Sequence, residues 1–81
     1  MVATIIDFAF EPVKLEVAAG STITWTNTGE YPHTVSADDA SFDSEILLPT
    51  KTFSLTLTQP GTYAYHCNIH KQDMTATIVV T

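Results

Sequence analysis

Residues 65–74 read YHCNIHKQDM and hold the chain's only cysteine, two of its three histidines and one of its two methionines. Cys67, His70 and Met74 are spaced Cys-x2-His-x3-Met, directly after a stretch of strand-like composition. A loop at that place can turn three side chains toward one point. A fourth donor must come from elsewhere, and His33 in EYPHTV is the candidate, with Pro32 fixing the backbone beside it. Two imidazoles, one thiolate and one weak thioether suit copper cycling between Cu(I) and Cu(II), in a trigonal His2Cys set with a long axial methionine. Structural zinc takes four strong ligands, usually with more than one cysteine, and iron–sulfur clusters need more thiolates than this chain has. Singly, each residue has an ordinary explanation: a core cysteine, a surface histidine, a core-filling methionine. Their joint spacing favours the metal.

The elements that position these groups read as strands. Val13, Leu15 and Val17 alternate with Lys14 and Glu16; Ile23 and Trp25 alternate with Thr22, Thr24 and Thr26. Phe53, Leu55 and Leu57 alternate with Thr52, Ser54 and Thr56. Two more strands fall at roughly 61–67 and 75–80, rich in tyrosine, valine, isoleucine and threonine. Turns are marked by Ala19-Gly20, Asn27-Thr28-Gly29 and Gln59-Pro60-Gly61. Six or seven short strands of this kind predict an antiparallel sandwich or barrel. Trp25, Ile23, Phe53, Leu55, Leu57 and Ile78 are its expected core. Residues 37–50, ADDASFDSEILLPT, read as a surface excursion with a single helical turn. In this frame Cys67 ends a strand, Met74 stands where the last strand begins, and His33 opens another. Alternation sends His66 to the face opposite Cys67, away from the same metal.

Eighty-one residues predict one domain with a modest core, for which a bound metal would be a useful staple. One cysteine cannot close an intrachain disulfide. No apolar run approaches the ~20 residues of a membrane span, and no basic stretch precedes an apolar one as a signal peptide would require. Lys14, Lys51 and Lys71 are the only cations besides the histidines, arginine is absent, and the formal net charge is −6. That balance excludes nucleic-acid binding, which wants a basic face. It serves solubility, or steers the chain toward a basic partner.

KLEVAAGSTITWTNTGEYPHTV, FSLTLTQPGTYAYHCNIH and MTATIVV together resemble the cupredoxins, closest in style to amicyanin and plastocyanin, nearly end to end. The resemblance implies an all-β, Greek-key β-sandwich of about seven strands, with residues 1–81 as a single copper-binding domain. It implies one type 1 copper with His33, Cys67 and His70 as equatorial ligands and Met74 as the axial one. The function implied is that of a soluble, monomeric, periplasmic or otherwise exported one-electron carrier and not an enzyme. Redox donor and acceptor proteins would dock near the edge of His70, on a rim of Pro32, Ile69 and Lys71. A copper carrier or storage protein, or an electron-transfer domain partnering a copper enzyme, would use the same ligands. In copper nitrite reductases the histidine before the cysteine binds a second copper, but three histidines in this chain are too few for that within one subunit.

Three departures from the pattern stand out. Thr34 follows His33 where the relatives' pattern has asparagine, and its shorter hydroxyl is expected to brace the ligand loops less. Ile69 replaces a proline, which leaves its N–H free to donate to the thiolate. Three residues separate His70 from Met74, one more than in amicyanin and one fewer than in plastocyanin.

Overall fold

The alternating runs become the strands of two facing sheets. A computed structural model of the chain describes residues 1–69 and 74–81. Among these residues there is no helix, and eight strands follow one another: β1 (Val2–Ile6), β2 (Ala9–Glu11), β3 (Lys14–Val17), β4 (Ser21–Asn27), β5 (Ser36–Ala37), β6 (Thr52–Leu57), β7 (Gly61–His66) and β8 (Thr75–Val80). One sheet has the order β2-β1-β4-β6 and the other β3-β8-β7-β5. The molecule is the expected β-sandwich. β2 and β5 are only three and two residues long, too short to show alternation in the sequence.

Both sheets are mixed, where period-two patterning alone had suggested antiparallel ones. β1 runs parallel to β4, pairing Ala3 with Trp25, and β3 runs parallel to β8, pairing Leu15 with Ile78. Parallel neighbours need a crossover connection, and patterning within a strand does not encode where the chain crosses. The expected helical turn within 37–50 is absent. That segment is pinned instead by buried Phe42 and Leu47, by a bridge from Asp43 to Ser36 and by another from Leu47 to His33.

The core lies between the sheets. Trp25, Ile23 and Ile78 are fully buried as expected, while Phe53, Leu55 and Leu57 are only partly so, because β6 is the edge of its sheet. Trp25 stacks on its cross-strand partner Phe53 at 5.9 Å and meets Tyr65 edge-on at 5.6 Å. Phe10 closes on Tyr65 from β2, with centroids 4.8 Å apart. Such aromatic pairs contribute about 0.5–1.5 kcal/mol each beyond the area they bury. On the outer face, Thr22 pairs with Thr56 and Thr24 with Ser54 through hydroxyl hydrogen bonds of 2.7 and 2.9 Å. These cross-strand pairs pin the β4–β6 register, so that Trp25 meets Phe53 and not its neighbour.

Tyr65 is the group through which this core responds to pH. Its hydroxyl accepts the Trp25 indole N–H at 3.4 Å, and burial raises its pKa above 10.0. An unfolded tyrosine ionises near pH 10 while the folded one resists, so stability is intact below about pH 10 and falls as pH rises beyond it. Tyr65→Phe should flatten that alkaline limb in urea titrations. At neutral pH it should cost about 1 kcal/mol, since the buried indole N–H loses its acceptor.

Candidate metal centre

β7 delivers the thiol. Tyr65 faces the core, and two residues on Cys67 points the same way and is fully buried, one position past the strand's end. The Cys67 N–H donates to the Met74 carbonyl at 3.1 Å, which continues the β7–β8 ladder and places fully buried Met74 beside the thiol's backbone. His33 arrives on the connection that leaves one sheet at β4 and enters the other at β5. It does not open a strand as expected. It forms an isolated bridge with Leu47, with N–H···O distances of 3.1 and 2.8 Å, and β5 begins three residues later. Its ring is fully buried, with Nδ1 3.8 Å from Cys67 Sγ. Three of the four residues singled out in the sequence thus lie buried at one end of the sandwich. The fourth, His70, lies outside the described residues.

The two connections are tied to each other by side chains. The Thr34 hydroxyl accepts the Asn68 N–H at 2.8 Å and pairs with Ser36 Oγ at 3.0 Å. Asn68 Nδ2 also donates to Ser36 Oγ, and the Ser36 hydroxyl donates to Asp43. Thr34 thus does brace the two connections, through Asn68 on the cysteine side. The hydrogen bond to the sulfur comes from the Thr34 N–H, at 3.5 Å. Ile69, the donor expected from its replacement of proline, is not the one found, and its side chain is turned outward, 44% exposed. The peptide that follows the imidazole carries the donor instead.

His66 faces away from Cys67, as alternation requires. Its Nδ1 lies 2.5 Å from Asp38 Oδ1 and its Nε2 2.8 Å from Asn68 Oδ1, so both nitrogens are engaged in the brace. Among the described residues, no group of three or more histidine, cysteine or acidic side chains gathers as a separate metal site.

Two supports escaped the sequence reading. Asn27 is fully buried, and its Nδ2 donates to the Tyr31 and Leu47 carbonyls at 2.9 Å each while its Oδ1 accepts the Gly29 N–H. The Asn-x-Gly spacing that marked a turn is the visible trace of this Asx-turn. Asp7, in the β1–β2 turn, accepts the Glu30 N–H with both oxygens at 3.0 Å, the Tyr31 N–H at 3.3 Å, and lies 3.1 Å from His33 Nε2. Those contacts, the Glu30 N–H foremost and His33 next, hold its carboxyl below the usual carboxylate range. Nothing local in the sequence links residues 7 and 33.

Two packed mixed sheets, with a buried thiol and imidazole brought together at one end, define a β-sandwich with a candidate metal centre. The chain belongs to the cupredoxin-like family, whose domain matches residues 2–80. Plastocyanin of Hordeum vulgare is 40% identical over 72 residues, covering 75% of this chain and 46% of its own length. Amicyanin of Paracoccus denitrificans is 34% identical over 76 residues, covering 84% of this chain and 58% of its own. The chain thus spans about half the length of these relatives. Among solved structures, an oxidised methionine-to-leucine variant of amicyanin matches with a TM-score of 0.91 at 31% identity, over all of this chain and 81% of that one. A purple cupredoxin from Nitrosopumilus maritimus matches with a TM-score of 0.86 at 26% identity, over 98% and 99% of the two chains.

The brace has a measurable energy. Thr34→Val keeps the shape but strands the Asn68 N–H and removes a partner of Ser36 Oγ in a buried setting. It should cost about 1–3 kcal/mol of apoprotein stability by urea denaturation, whereas Thr34→Ser, which keeps the hydroxyl, should cost much less.

Proposed function

We propose that residues 1–81 form one electron-carrier domain that holds a single type 1 copper through His33, Cys67, His70 and Met74. The observation that carries this reading is the His33 Nδ1 to Cys67 Sγ approach of 3.8 Å between two fully buried side chains. Donors about 2.1 Å (nitrogen) and 2.3 Å (sulfur) from one ion stand that far apart when they subtend roughly 120° at it, the angle of a trigonal set. Asp7 occupies the other ring nitrogen, which leaves Nδ1 as the donor. A thiolate, imidazoles and a thioether are the soft and borderline donors that copper takes, and zinc takes methionine poorly.

Copper would supply a reversible one-electron couple. This chain's part is to hold the donors in one arrangement in both oxidation states and to keep water away from them. The hydrogen bond from Thr34 N–H to the thiolate and the Thr34–Asn68 brace do the first, and complete burial of His33, Cys67 and Met74 does the second. The reading draws on the plastocyanin and amicyanin relatives; a methionine-to-alanine variant of amicyanin is solved in a Cu(I) form. Redox donor and acceptor proteins would dock near His70; the preceding Ile69 is exposed, and Pro32 adjoins His33. The chain's net charge of −6 favours basic partners. The domain would work as a monomer in the periplasm or another exported compartment, as a carrier and not as an enzyme. No described helix is long and apolar enough to cross a membrane.

Added Cu(II) should produce an intense visible band, and the loaded protein should cycle through one electron without losing copper to a chelator. Cys67→Ser should abolish the band and keep the fold, because the thiolate is the one donor here able to bond strongly and covalently to Cu(II). Copper released on each reduction would favour a transport or storage role. Met74→Leu should keep copper and colour but raise the reduction potential, since a weak donor that favours Cu(II) is gone. Loss of copper in that variant would remove Met74 from the axial position.

A further inference from the structure

Asp7 does more than close a turn. It sits between β1 and β2, where Phe8 is held in the left-handed region at φ 68°, an arrangement a bulky residue adopts only when its surroundings enforce it. The turn aims the carboxylate at the loop that carries His33. Two backbone N–H groups, of Glu30 and Tyr31, receive it, and His33 Nε2 lies 3.1 Å from the same Oδ1 that Tyr31 contacts. The loop is shaped to admit it: a Cβ on Gly29 would overlap the Asp7 carboxyl group, so glycine at 29 is what lets the carboxylate reach. Two amide donors aimed at the carboxylate suit its anionic form, and its side chain is 26% exposed.

We infer that Asp7 is a positioning residue for the metal centre, which fixes His33 in the Nε2–H tautomer and, through its negative charge, strengthens Nδ1 as a donor to the oxidised ion. The inference rests on the copper reading above. An imidazole whose distal N–H is donated to a carboxylate carries more electron density on its other nitrogen. The more highly charged Cu(II) gains more from that density than Cu(I) does. Asp7 therefore lowers the reduction potential, and it does so from the far side of the ring, without touching the ion. The charge and the geometry can be separated. Asn at position 7 keeps an oxygen to accept the His33 N–H but loses the charge; Ala loses both.

Two independent experiments test this. In the apoprotein, long-range 1H–15N NMR should find His33 with its proton on Nε2 in the wild type and in Asp7→Asn. Asp7→Ala should show a mixture of tautomers, and Gly29→Ala, which displaces the carboxylate without altering any charge, should shift the same way. A wild-type ring protonated on Nδ1, or an unchanged tautomer in Asp7→Ala, overturns the positioning role and needs no metal to do so. In the copper-loaded protein, chelator competition should show Asp7→Asn weakening Cu(II) binding about tenfold with Cu(I) binding unchanged, equivalent to a rise of about 59 mV in potential for a one-electron couple. Equal losses in both oxidation states, or no change in either, reduce Asp7 to a structural clip and overturn the tuning role. A wild-type protein that develops no visible band with Cu(II) defeats the copper reading itself, whatever the tautomer result.

Discussion

The end of the sandwich is organised by one demand: His33, on the connection that crosses between the sheets, and Cys67, on the β7–β8 connection within one of them, are brought together with Nδ1 and Sγ 3.8 Å apart and both side chains fully buried. Each polar atom taken there needs a partner, since a buried donor or acceptor left alone costs more than a hydrogen bond contributes. The chain answers with bonds that run between connections more than within them. The His33 peptide pairs with Leu47, the Cys67 N–H with Met74, and the Asn68 N–H with Thr34. The segments around residues 33, 47, 68 and 74 are thereby locked to one another.

Such a lock is needed because the rest of the domain is small. Trp25, Tyr65, Phe10 and Ile78 form a core that two four-stranded sheets can close over, but a chain of this length buries a limited share of its surface. Individual cross-connection hydrogen bonds contribute only about 1 kcal/mol each. Their value lies in being mutually dependent: Thr34, Ser36, Asn68, His66, Asp38 and Asp43 form one connected chain of contacts. A ligand that binds only the folded state adds its binding energy to such a domain. The folded chain must first hold His33 and Cys67 together, and the brace ties their two connections to each other.

Much of this was legible in the sequence. β3, β4 and β6 announced themselves because one face of each turns inward and the other toward water, the condition that writes period-two alternation into residues, and β7 and β8 by their tyrosine, valine, isoleucine and threonine. The parallel pairings did not, since alternation records which face is buried and is silent on direction. Phe53, Leu55 and Leu57 alternate as well as Ile23 and Trp25 do, yet only the latter are fully buried, because an edge strand shows the same pattern with less depth. At the candidate site, Cys67 and Met74 were readable because they share a segment, and His33 because its residue type is rare here. The Ile69 expectation failed for an instructive reason: it assumed the donor to sulfur lies on the cysteine's own loop, and the fold supplies it from across the gap, at Thr34. Asn27 left half a trace in its turn motif, and Asp7 left none.

Those last two mark an asymmetry in how the site is built. Cys67 and Met74 are placed by main chain, as the continuation of the β7–β8 ladder, which any sequence that keeps those strands will reproduce. His33 has no ladder to stand in, only the single bridge to Leu47, and its connection is shaped by side chains: Asn27 gathers the Tyr31 and Leu47 carbonyls, and Asp7 gathers the Glu30 and Tyr31 amides together with the imidazole. A side chain can be exchanged by one substitution, whereas a ladder cannot. The thiolate half is thus the fixed part of the site and the His33 half the adjustable one. Substitutions at positions 7, 27 and 29 are where this sandwich can alter the surroundings of His33 while leaving Cys67 and Met74 where the strands put them.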